Sequence, residues 1–425
     1  MTTAAAPQPQ SGSARRVLGA SLVGTAVEFY DFYIYATAAS LVFGPLFFPA
    51  GDPAIQQLQS FATFAVAFIA RPFGAIAFGH FGDRIGRKST LVVSLLIMGL
   101  STLLIAFLPG YAAIGWWAPA ILCLLRFGQG FGLGGEWGGA ALLASENAPP
   151  GWRARYGMFP QLGAPVGFIA ANGLFLILGL TLTPQQFMEW GWRLPFLASA
   201  LLVGVGLFVR LKLTETPAFR AALEEAPPPR VPVAELLRDH LLPTLAGTFA
   251  TIACFAIFYV ATAFALSFGT TALGYDRQAF LSVQLGAILF MAGGILLAGW
   301  LSDRFDARRV LMAGCIGAVA AGLVIAPLMG AGLGGAFVFL SLTLLLMGFV
   351  YGPLGGWLPH LFPARVRYTG ASIAFNVGGI IGGGLTPLVA QSLAIEYGLW
   401  TVGLYMGGAS LVSLAALWIL RGRES

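Results

Sequence analysis

Charge is what this sequence has least of. Only 9% of its 425 residues are Asp, Glu, Lys or Arg, against about 25% in a soluble domain, and its mean hydropathy is +0.83. That scarcity excludes a soluble globular fold and marks an integral membrane protein. Cysteine and histidine are also sparse, with three of each. Cys123, Cys254 and Cys315 lie inside apolar stretches, and His80, His240 and His360 stand singly, so neither a disulfide framework nor a metal site is expected. No His-Glu-x-x-His, Gly-x-Ser-x-Gly or phosphate loop ending in Gly-Lys-Ser/Thr occurs. Enzymatic chemistry, cofactors and nucleotide-driven work therefore have no support. The stretch Gly130-Phe131-Gly132-Leu133-Gly134-Gly135 matches a dinucleotide fingerprint on paper, but no strand precedes it. A net charge of +6 suggests nucleic acid only in a soluble chain; here the cations are sorted by loop.

What is abundant is apolar sequence in blocks. A membrane span needs about 20 mostly apolar residues, and twelve segments qualify. They lie near 17–42, 56–79, 89–108, 117–144, 156–181 and 192–211, then 242–269, 278–300, 309–328, 335–359, 369–393 and 399–420, and are numbered here as spans 1 to 12. An even count puts both termini on one face. Nineteen of the 23 Lys and Arg residues fall on that face, Arg193 and Arg277 on the other, and Arg71 and Arg126 inside spans. The positive-inside rule then makes both termini cytoplasmic, in a cell (inner) membrane. Residues 1–16 read as a disordered cytoplasmic tail and 421–425 as a second tail. The longest connection, 212–241, divides a bundle at 17–211 from one at 242–420. Within it, Thr216-Pro217 followed by Ala218 to Glu225 predicts a short surface helix, ended by Pro227-Pro228-Pro229.

The stretch Gly79-His80-Phe81-Gly82-Asp83-Arg84-Ile85-Gly86-Arg87-Lys88-Ser89 joins spans 2 and 3. Three cations within five residues require a wet turn there. A degraded copy, Gly299-Trp300-Leu301-Ser302-Asp303-Arg304-Phe305-Asp306-Ala307-Arg308-Arg309, joins spans 8 and 9. A positive-inside loop explains the cations of each copy; the matched spacing of Gly, Asp and Arg points to a duplicated half-chain. Arg153-Ala154-Arg155-Tyr156-Gly157 and Arg365-Val366-Arg367-Tyr368-Thr369-Gly370 repeat in the same way. The doubled loop and the six-plus-six layout resemble the major facilitator superfamily. Within it, Glu28-Phe29-Tyr30-Asp31-Phe32, Arg71-Pro72-Phe73-Gly74, Gly134-Gly135-Glu136-Trp137-Gly138-Gly139 and Gly191-Trp192-Arg193-Leu194-Pro195-Phe196 resemble the metabolite:proton symporter family. The C-terminal half matches more loosely, and Asp306 and Ala307 replace an expected Gly and cation in its loop. The resemblance implies an all-α polytopic protein with two six-helix bundles related by a pseudo-two-fold. It also implies carriage of small polar metabolites such as proline, betaine, α-ketoglutarate, shikimate or citrate with protons, by a monomer with no nucleic-acid partner.

Five charges lie within spans: Glu28, Asp31, Arg71, Arg126 and Glu136. Ionisable groups at that depth are costly and normally face a bundle interior or a wet cavity. Glu28, Asp31 and Tyr35 fall on one stripe of span 1. Arg126 reaches a similar depth, so an acid–Arg pair is geometrically allowed. Burial disfavours an ionised acid and a nearby Arg favours it, so an anionic solute that recruits the Arg lets the acid take a proton. Asp31 is the expected proton carrier and Arg126 its partner and carboxylate ligand; the alternative is a permanent ion pair locking spans 1 and 4. Arg71 either binds solute or snorkels to hold an inner gate with Glu136, itself a second proton-site candidate. Glu28 either assists Asp31 or pairs with an Arg. The expected cytoplasmic gate is Asp83, Arg84, Arg87, Asp303 and Arg304, with Glu146 latching to Arg84 or Arg87. The C-terminal half offers no buried charge; its cavity candidates are Phe255, Phe258, Tyr259, Gln284, Tyr351, Trp357 and Asn376. Glycines at 163, 167 and 378–384, with Pro387, are expected either to pack helices closely or to let them bend. The expected function is proton-coupled uptake of a small carboxylate or zwitterion; proton antiport of drugs, proton-independent facilitation and transporter-like sensing are the alternatives.

Overall fold

A computed structural model describes residues 11–85, 87–211, 232–363 and 366–421, with the side chains of 11–17, 20, 79, 82–91, 209, 210 and 232 outside that set. The expected helix at Thr216–Glu225 lies outside the described residues. Among the described residues all regular structure is helical. In the first half, span 1 is Ser11–Leu41, span 2 Pro53–Ile85, span 3 Arg87–Ala106 and span 6 Leu194–Leu211. Span 4 is broken into Trp117–Leu133 and Glu136–Glu146, and span 5 is Arg153–Thr181. In the second half, span 7 is Leu241–Thr271, span 8 Arg277–Phe305, span 10 Gly332–Leu361, span 11 Arg367–Tyr397 and span 12 Leu399–Ile419. Span 9 is Ala307–Gly322 followed by Ile325–Gly330.

The breaks have identifiable causes. Span 4 turns at Gly134-Gly135, where two glycines remove the side chains that would otherwise hold the rod straight. Spans 7 and 11 each contain one wide π turn, Val260–Phe264 and Ile380–Gly384. Such turns free backbone groups that a neighbour must satisfy. In span 7 the neighbour is Gln284 of span 8, whose Nε2 donates to the carbonyls of Ala261 and Thr262 at 3.1 and 2.9 Å. Outside the spans, Pro184–Glu189 is a short helix started by a reciprocal Thr183–Gln186 capping box, and Pro232–Asp239 leads into span 7.

Helix pairing repeats with a shift of six. Spans 1 and 5, 2 and 4, and 3 and 6 pack together, as do 7 and 11, 8 and 10, and 9 and 12. Small residues make the tightest of these contacts. A Cβ on Gly130 or Gly74 would land on the carbonyls of Ala67 and Phe131, so spans 2 and 4 meet backbone to backbone; Gly294 and Gly348 do the same for spans 8 and 10. Spans 1 and 7 are the most enclosed. Residues 31–40 of span 1 are all buried, and 94% of the apolar window of span 7 is buried, against 39–61% in the other long spans. The half-buried spans send Leu124, Leu180, Leu201 and Trp418 outward, as lipid requires. The two bundles meet through spans 2 and 11, 5 and 8, and 5 and 10. At the last of these, a Cβ on Gly157 would lie 2.6 Å from the Gly356 nitrogen, so the two backbones touch directly.

Candidate functional site

Between the bundles lies a cavity with about 610 Å³ of space not filled by atoms, open solvent included. The N-terminal half contributes Thr25, Glu28, Phe29 and Tyr33 from span 1, Arg71 from span 2 and Trp137 from span 4. The C-terminal half contributes Cys254, Phe255, Phe258 and Tyr259 from span 7, Tyr351 from span 10, and Phe375 and Asn376 from span 11. One side thus carries both signs of charge, and the other carries aromatics and an amide. Of the expected ligands, Arg71, Tyr259, Tyr351 and Asn376 line this cavity. Gln284 lines a smaller one of about 240 Å³, and Arg126 and Tyr35 line neither.

The five embedded charges therefore divide. Glu28 and Arg71 face the cavity, whereas Asp31, Arg126 and Glu136 are buried behind it, each 0–1% exposed. The cavity face of span 1 is Thr25, Glu28, Phe29 and Tyr33; at about 100° per residue Asp31 lies on its far side, with Glu28 and Tyr35 at the border. The stripe through Glu28, Asp31 and Tyr35 is real, but only Glu28 reaches solute space.

Asp31 and Arg126 are joined by a relay in place of direct contact. Arg126 Nη1 donates to Gln129 Oε1 at 2.9 Å, Gln129 Nε2 to Thr102 Oγ1 at 2.7 Å, and Thr102 Oγ1 to Asp31 Oδ2 at 3.1 Å. The Thr102 hydroxyl also lies 2.9 Å from the Met98 carbonyl. Its single proton thus has two alternative acceptors. Arg126 Nε and Nη2 find no hydrogen-bond partner. Its charge is held by aromatic faces, with Cζ 3.9 Å from the Tyr35 centroid, 4.3 Å from Phe32 and 5.0 Å from Phe64. Arg71 sits 4.4 Å from both Phe32 and Phe68. Phe32 is therefore common to the two cations. Tyr35 is fixed by a 2.7 Å bond between its hydroxyl and Thr63 Oγ1. Glu136 accepts from Ser94 Oγ of span 3.

The bundles touch on both sides of the cavity. On the face of the termini, Asp303 pairs with Arg155 Nε at 3.1 Å and accepts from the backbone nitrogens of Ala154 and Arg155 at 2.9 and 3.2 Å, capping the start of span 5. Closer in, Trp137 stacks on Phe375 with centroids 3.8 Å apart. Asn376 Nδ2 donates to the Gly134 carbonyl at 2.8 Å, and the Tyr368 hydroxyl donates to that of Gly135. On the opposite face, Ser40 Oγ donates to the Ala263 carbonyl at 3.2 Å, Gln278 Nε2 to that of Gly179 at 3.0 Å, and Arg277 lies 4.2 Å from the Phe187 ring. Among the expected gate residues, Asp303 thus bridges the halves. Arg304 instead lies over Trp300 and Phe305 of its own helix, and Glu146 is exposed. The side chains of Asp83, Arg84 and Arg87 lie outside the described residues. Tyr33, Trp137 and Phe375 line the cavity without having been singled out; the i, i+3, i+4, i+8 spacing of Thr25, Glu28, Phe29 and Tyr33 was the available signal for Tyr33.

The profile of the Major Facilitator Superfamily matches residues 21–382. The inner membrane metabolite transport protein YhjE of Escherichia coli is 51% identical, over 95% of this chain and 93% of that one. The E. coli shikimate transporter is 37% identical over 97% and 95%, and the Salmonella typhimurium proline/betaine transporter 32% identical over 90% and 78%. Among solved structures, the proton:xylose symporter XylE superposes with a TM-score of 0.76 at 14% identity, covering 97% of this chain and 96% of that one.

Proposed function

The chain belongs to the major facilitator superfamily, whose members are membrane transporters and not enzymes, and on that premise we propose that it takes up a small organic carboxylate or zwitterion together with a proton. The solute lies in the central cavity between the repeats, as alternating access requires. Arg71 is the carboxylate ligand, since it is the cation that lines the cavity, and a guanidinium presents paired donors matched to a carboxylate. Asp31 carries the proton, with Glu28 at the cavity edge as its relay and Glu136 as a second acid behind span 4. The membrane is the cell's inner membrane, with both termini cytoplasmic, as the sorting of Lys and Arg favours.

The observation that carries the proton role is the two-way hydroxyl of Thr102. Ionised, Asp31 accepts the Thr102 proton. Protonated, Asp31 donates to Thr102 Oγ1, and the hydroxyl turns its own proton to the Met98 carbonyl, 2.9 Å away. Oδ2 thus keeps its Thr102 bond in both states, whereas Oδ1 has no hydrogen-bond partner, so the exchange of a proton on Oδ2 does not cost that bond. An anion at Arg71 and a proton on Asp31 each offset the charge the other introduces, so the two load together.

The test is transport in proteoliposomes with an imposed proton gradient. The named relatives supply the first solutes to try: shikimate, proline and betaine. Asp31→Asn is expected to keep solute exchange and lose gradient-driven accumulation. Unchanged accumulation removes Asp31 from the mechanism. Uptake independent of pH would instead identify a facilitator, and proton-driven efflux of dyes an antiporter.

A further inference from the structure

Asn376 belongs at once to the cavity and to the seal beneath it. We propose that it is a positioning residue that ties occupancy of the cavity to opening on the face of the termini, by holding the Gly134 carbonyl until a solute acceptor takes its place. This rests on the reading that solute passes through the central cavity.

The break in span 4 is the key. Where a membrane helix turns, backbone carbonyls leave the helical ladder and need partners from elsewhere in the protein. Here the other bundle supplies a partner, Asn376, for Gly134, and Tyr368, two turns earlier on span 11, adds a bond to the Gly135 carbonyl. Around them the fit leaves no slack. A Cβ on Gly134 would strike the carbonyl of Arg71, and one on Gly138 would strike Ser372 Oγ. Trp137 and Phe375 stack alongside. One turn of span 4 and two of span 11 thus form a polar latch beside an aromatic seal.

The proton count of Asn376 makes the latch sensitive to solute. Its Nδ2 carries two protons, given to Gly134 O and Ser372 O, each at 2.8 Å. A carboxylate in the cavity gains an amide proton only by displacing one of these carbonyls. Ser372 lies on the same helix and moves with Asn376. Gly134 lies on the other bundle, so its bond yields as the bundles part. The cavity also contains a native reporter, Cys254.

With Cys123→Ala and Cys315→Ala as background, Cys254 is the sole thiol. Its labelling by a membrane-impermeant methanethiosulfonate is measured from each face of sealed vesicles, without solute or gradient. Asn376→Ala and Tyr368→Phe, assayed separately, are each expected to raise the rate from the face of the termini about fivefold, the weight of one lost neutral hydrogen bond. The rate from the other face is expected to stay put. No increase in either variant, or an equal increase from both faces, overturns the latch. Symport stands or falls separately, on the accumulation assay of Asp31→Asn.

Discussion

The two bundles share a packing plan and divide the work. In the N-terminal bundle spans 1, 2 and 4 bury Glu28, Asp31, Arg71, Arg126 and Glu136. The C-terminal bundle brings Phe255, Phe258, Tyr259, Tyr351 and Phe375 to the same cavity, and both π turns of the molecule among the described residues. Charges need fixed surroundings, because their stabilisation comes from oriented dipoles and ring faces that lose their value when displaced. Wide turns and glycines allow a helix to change shape. The comparison teaches that a duplicated fold can keep its electrostatics in one copy and its deformability in the other.

The sharpest way to break that comparison is Arg71→Gln, which removes the one cation facing the cavity among the described residues. Binding of a carboxylate solute, read by thermal shift or flux, is expected to weaken by about 100-fold, the value of a charge-assisted pair. Next comes Asp31→Asn, with gradient-driven accumulation expected to fall by about tenfold or more while counterflow persists. On the C-terminal side, Gly383→Val should act on motion. A Cβ there would lie 2.7 Å from the Phe68 ring, and overpacking of this kind costs about 1–3 kcal/mol. Turnover is expected to drop severalfold with solute affinity changed little. Asp303→Asn weakens the pair with Arg155 and the cap on span 5, and is expected to lower the thermal midpoint with a loss of about 1 kcal/mol. Smallest is Tyr259→Phe, which keeps the ring that packs on Phe64 and Phe68. Less than a threefold change in flux is expected; a larger one would give the Tyr259 hydroxyl a role in handling solute.

The spans were legible because lipid imposes one requirement on all of them, about 20 apolar residues each. The interior of span 1 was not, for a physical reason. Its residues 31–40 are buried on every side, so polarity cannot tell the cavity face from the face against spans 3 and 6. Asp31 and Glu28 look alike in sequence and sit in different rooms. The relay through Thr102 and Gln129 was invisible for a related cause, since neither residue is charged and they lie on different helices. Arg71 and Asn376 were legible as polar groups in apolar runs. That Asn376 bonds to a carbonyl of span 4 depends on the turn at Gly134-Gly135, which a count of glycines does not place.

Where spans 5 and 10 meet, Gly157 faces Gly355 and Gly356 with bare backbone on both sides. One side chain reaches the seam, Gln161, whose Nε2 lies 2.9 Å from where a Cβ on Gly355 would stand. With so little to free and reorder, parting and closing there carries a small entropic toll. The same bareness leaves it no tolerance, because a single added methyl would wedge the seam ajar.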